Sequence, residues 1–88
     1  MKSPTIESAP LVEPRGWVRI GNTPAVVTAV NVADTDAIEV VYADRGKAVH
    51  EFAVWEDDEW RFLGPGGGHA DEDRRFGEFV TILRSSRG

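Results

Sequence analysis

The chain has 88 residues, 41% of them hydrophobic, no cysteine, and fifteen acidic against ten basic side chains for a formal net charge of −5. This length suits one small domain that buries roughly 60–65% of its unfolded surface around one core, and without thiols neither disulfides nor thiolate zinc can staple it. The acidic balance weakens any general attraction to phosphate backbones or anionic lipid and favours a basic partner.

No apolar run approaches the ~20 residues that span a bilayer, and the opening "MKSPTIESAP" lacks the apolar stretch of a signal peptide. The expectation is a cytoplasmic protein with no membrane partner. Residues 1–14 contain Pro4, Pro10 and Pro14 with scattered Ser and Glu and no sustained period, and read as a flexible N-terminal arm. Residues 15–88 read as a single domain.

From Arg15 onward, short β-branched and aromatic runs alternate with turn residues. "GWVRIG" predicts a first strand with Val18 and Ile20 on one face and Trp17 and Arg19 on the other. After Asn22 to Pro24 come "AVVTAVNV", the turn "ADTD", and "AIEVVY", where Ile38, Val40 and Tyr42 alternate with Glu39 and Val41. In "ADRGK", Gly46 offers the positive φ of a tight hairpin, and "AVHEFAVW" is the fourth strand.

"VWEDDEW" holds four acids, Glu56, Asp57, Asp58 and Glu59, between two of the three tryptophans. A turn symmetric about Asp57 and Asp58 places Trp55 opposite Trp60, Ala53 opposite Phe62 and Phe52 opposite Leu63, whether the loop has two residues or four. Both tryptophans then share one face of the hairpin. "GPGGG" ends the meander, since three consecutive glycines disfavour strand or helix interior.

In the tail, Phe76, Phe79, Val80 and Leu83 are spaced i, i+3, i+4, i+7, with Asp71, Glu72 and Asp73 before them and Arg84 and Arg87 after. That pattern predicts an amphipathic helix over about 70–84, with a break near Gly77. Thr81 and Ile82 also suit a final strand.

Five short strands joined by tight turns, with the opening "GWVRIG...AVVTAV", resemble the SH3-like small barrels, the group that includes Tudor-type and KOW-type domains. The resemblance covers about Gly16 to Leu63. It implies a mainly β fold, an SH3-like five-stranded small barrel with a short C-terminal helix, and a non-enzymatic binding module.

Two readings compete at Trp55 and Trp60. In the plainer one the pair covers part of the core, because so small a domain needs every large side chain. In the functional one, accessible rings beside Glu56, Asp57, Asp58 and Glu59, with Tyr42 or Trp17 near, take a Lys, Arg or methylated ammonium group of a partner protein or peptide with basic or apolar residues. The acids alone read as a solvated tip that also discourages edge-to-edge pairing.

An alternative is nucleic-acid binding through Arg74, Arg75 and Arg84, as some KOW-type domains do. Glu72, Asp73 and Glu78 dilute that positive charge, so nucleic acid is the less favoured partner. A third reading is a homodimer, formed by docking Phe76, Phe79, Val80 and Leu83 on a sister chain.

Chemistry-bearing motifs are sparse. "NVADTD" supplies Asn31, Asp34 and Asp36 but lacks the spacing of a calcium loop, and His50 and His69 have no partner at metal-ligand spacing. Ser85 and Ser86 sit outside any nucleophile elbow, and "GPGGGHAD" lacks the Lys-Ser/Thr of a phosphate loop. The expectation is therefore no enzyme, no cofactor and no metal.

Overall fold

A computed structural model of the chain describes residues 10–64, 68–71 and 73–85. The expected arm falls mostly outside them, at residues 1–9. Six strands form one antiparallel sheet: β1 (Trp17–Ile20), β2 (Thr23–Ala29), β3 (Ile38–Asp44), β4 (Lys47–Glu56), β5 (Glu59–Phe62) and β6 (Gly68–His69), followed by helix α1 (Gly77–Ser85). The order β1-β2-β3-β4-β5 is a pure meander, with β6 returning to pair with β4. The five main strands curl into a half-barrel with β1 and β5 as its two edges.

Three two-residue turns carry the meander, each using positive φ to match the twist of its strands. Gly21 serves the first, Arg45 with Gly46 the second and Asp57 with Asp58 the third. The β2–β3 connection is different. Strand β2 stops at Ala29, three residues before the expected end, and Val32–Asp34 form a 3-10 turn. Thr35 closes it, its hydroxyl donating to the Val32 carbonyl and accepting from the Ala37 N–H.

Alternation puts Ile20, Ala25, Val27, Ile38, Val40, Ala53 and Trp60 on the inner face, where they make one buried cluster. The outer face is buried too. Val26, Val41 and Ala48 pack under Ala70, Phe76 and Val80, with Phe79, Ile82 and Leu83 alongside. This second layer explains why β3 reads as a nearly continuous apolar run: four of its residues in a row, Ile38 to Val41, are buried.

The helix is shorter than the periodicity predicts. Asp73 accepts the Arg75 N–H at 3.0 Å and caps a 3-10 turn over Arg74–Phe76, and regular helix begins only at Gly77. The apolar spacing is thus shared between two turns of different pitch. Phe76, fully buried, anchors the junction. The chain past "GPGGG" also differs from expectation, because Gly68–His69 rejoin the edge of β4 opposite Val49 and His50.

Candidate interaction site at the β4–β5 hairpin

Register in the hairpin matches the sequence argument: Ala53 faces Phe62, Trp55 faces Trp60 and Glu56 faces Glu59. The Leu63 N–H extends the ladder by donating to the Phe52 carbonyl at 2.8 Å. Since side chains alternate, Trp55 and Trp60 both project to the inner face, with ring centroids 5.3 Å apart and planes at 72°. Trp60 is 6% exposed and belongs to the core, whereas Trp55 is half-buried at its margin. The plainer reading therefore describes Trp60.

Tyr42 joins the same face. Its ring lies 4.8 Å from that of Phe62, so Tyr42, Phe62, Trp60 and Trp55 form an aromatic row along the inner side of β3 to β5. Trp17 does not join them. It pairs with Val26, whose side chain belongs to the outer cluster, and is 41% exposed on the opposite side of the sheet.

Glu56, Asp57, Asp58 and Glu59 are all exposed at the tip. Arg61 reaches two of them, Asp57 at 3.4 Å and Glu59 at 2.9 Å. Among the described residues, Glu56 and Asp58 have no ion-pair partner, so the tip keeps a net negative charge. Beside it, Ile20, Gly21, Glu59, Trp60, Arg61 and Phe62 line an open cleft of about 300 Å³ between the edges of β1 and β5. A smaller pocket of about 180 Å³ lies beyond Trp60, among Leu11, Val12, Val30, Asn31, Asp36 and Ile38.

The C-terminal arginines are dispersed. Arg84 binds Asp71 at 2.7 Å, and that carboxylate also accepts the Ala48 N–H at 2.9 Å. The Ala48 N–H, foremost, and then Arg84 and Lys47 hold the Asp71 carboxyl below the usual aspartate range, against an opposing desolvation. Arg75 lies 4.1 Å over the Phe76 ring and 3.4 Å from Glu39, while Arg74 is exposed on the 3-10 turn. The apolar helix face docks on its own sheet, which occupies the surface that pairing with a sister chain through it would use.

His50 stacks on Phe76 at 4.6 Å with Nδ1 3.5 Å from Glu39, and His69 is exposed in β6. Among the described residues, no three His, Asp or Glu side chains gather as a metal site would require, and no helix is long and apolar enough to cross a membrane.

Two buried acids escaped sequence reasoning. Glu39, 5% exposed, receives Thr28 Oγ1 at 2.9 Å where a bulge in β2 shifts the register. Glu51, 6% exposed, faces the inner side of β4. The signal for Glu51 was in the alternation: Val49, Glu51, Ala53 and Trp55 must share one face once the hairpin register is known.

Compared with protein-family models, with curated proteins and with solved structures, the chain matches none.

Proposed function

We propose that the chain is a non-enzymatic protein-interaction module of SH3-like small-barrel type, receiving a basic or apolar segment of another protein at the β4–β5 hairpin. The observation that carries this reading is the cleft floored by Trp60 and Phe62, which opens beside Glu59 at the acidic tip. An apolar floor with a charged rim is the usual division of labour at a binding surface. Glu56 and Asp58 steer basic segments toward it. Phosphate binding through Arg74, Arg75 and Arg84 has weaker support, because Arg75 and Arg84 already face carboxylates.

Selection of displayed random peptides on the intact protein tests this. Selected peptides rich in Lys, Arg and large apolar residues, losing affinity with salt and on Glu56→Lys with Asp58→Lys, support the module. Selection of acidic peptides, or binders indifferent to the tip charges and to Phe62→Ser, sinks it.

A further inference from the structure

Glu51 is the least compensated polar group on the inner face. Across β3 it faces Val40, and Tyr42 and Phe62 are its diagonal neighbours on the flanking strands. Their rings meet 4.8 Å apart although β4 runs between their strands. They therefore close over the stretch of β4 that carries Glu51. Oε1 of its carboxylate is buried without a hydrogen-bond partner, and among the described residues no ion pair reaches either oxygen. Oε2 lies toward Gly64, where an added methyl group would stand 3.9 Å from it.

A carboxylate left uncompensated in an apolar interior is among the costliest arrangements a small domain can hold. A cation relieves it, and aromatic faces beside a carboxylate favour a cation further.

Resting on the interaction-module reading, we propose that Glu51, Tyr42 and Phe62 form a pocket for the ammonium group of a lysine side chain in the partner segment. The lysine enters past Gly64 with its methylene stem along Phe62. Lysine fits better than arginine because a compact charge on a thin apolar stem passes where a planar guanidinium does not.

The test uses the full chain with glutamate side-chain carboxyl carbons labelled for NMR. End-blocked pentapeptides alternating alanine with lysine, with arginine or with norleucine are the probes. The lysine peptide should move the Glu51 carboxyl and the Tyr42 and Phe62 ring signals and bind about tenfold tighter than the norleucine peptide. Glu51→Gln should remove that advantage, and the wild-type carboxyl signal reports directly should this variant fold poorly. Equal affinity for the norleucine peptide overturns the pocket, as does tighter binding of the arginine peptide. Lysine-peptide binding that moves only the Glu56 and Glu59 carboxyls also overturns it while leaving the module reading intact. If no pentapeptide binds, the pocket is overturned, and the module reading then stands or falls with the displayed peptides.

Discussion

The indoles of Trp55 and Trp60 meet edge to face at 5.3 Å, yet only Trp60 is sealed into the core, at 6% exposure. Truncating the two should therefore have unequal effects. Trp60→Ala removes a ring packed among Ile20, Val27 and Ile38 and should cost about 3–5 kcal/mol. Trp55→Ala should cost less, and a double-mutant cycle should leave a coupling of about 0.5–1.5 kcal/mol. Urea denaturation of the three variants measures both. In a Trp17→Phe background, blue-shifted emission resistant to acrylamide should disappear with Trp60 rather than with Trp55.

The tip turn sets local stability against charge. Asp57 and Asp58 have φ of 56° and 63°, a conformation better suited to Asn-Gly, and their carboxylates lie between two more. Asp57→Asn with Asp58→Gly should raise stability by about 1 kcal/mol. The same pair of changes should weaken binding of basic peptides. A thermal melt and a binding titration on one preparation would show the two effects moving in opposite directions; a loss of stability would refute the turn assignment.

The hairpin was legible in the sequence because its symmetric turn gives the same register for either loop length, and because β-branched alternation marks the strands around it. What hid the rest was non-local. The alternation in β3 sets Val41 and Glu39 on the second face, but nothing local says that Phe76 and Val80, some 35 to 40 residues later, will cover Val41, or that His50 and Arg75 will face Glu39. Regular helix starts later than the spacing predicts because the apolar period runs on through the 3-10 turn capped by Asp73, and the break expected near Gly77 is the junction of the two. Trp17 was grouped with the other tryptophans by residue type, although strand parity sends it to the opposite face.

Packing at β6 makes Gly68 intolerant of a side chain. A Cβ there would lie 2.8 Å from His50 Nε2, and the imidazole is held by its stack on Phe76 and by the neighbouring Glu39. Gly68→Ala should destabilise by about 1–3 kcal/mol. Adding His50→Ala should recover part of that loss, which chemical denaturation of the single and double variants would reveal. Strict additivity would show that the two residues do not clash.

Acid sensitivity should trace in part to Asp71. Its folded-state pKa lies below the unfolded value, chiefly through the Ala48 N–H, so its contribution is present above the ordinary aspartate pKa of about 3.9 and is lost as pH falls through the folded value. Asp71→Asn should lower stability at neutral pH and flatten the decline on acidification. Parallel pH profiles for wild type and variant would assign the decline to other carboxylates.

At the alkaline end Tyr42 is the reporter. Burial first, then the charges of Glu51 and Asp44, raise its pKa above 10. Because the folded value exceeds the unfolded one, this contribution is complete below about pH 10 and is lost as pH rises through the folded pKa. Tyr42 is the chain's one tyrosine, so ultraviolet absorbance of tyrosinate follows it alone. Glu51→Gln should move that titration downward, Asp44→Asn should move it less, and the double variant should retain the part due to burial. A midpoint unmoved by Glu51→Gln would mean that the Glu51 charge does not act on the Tyr42 hydroxyl, and would remove Tyr42 from the proposed pocket.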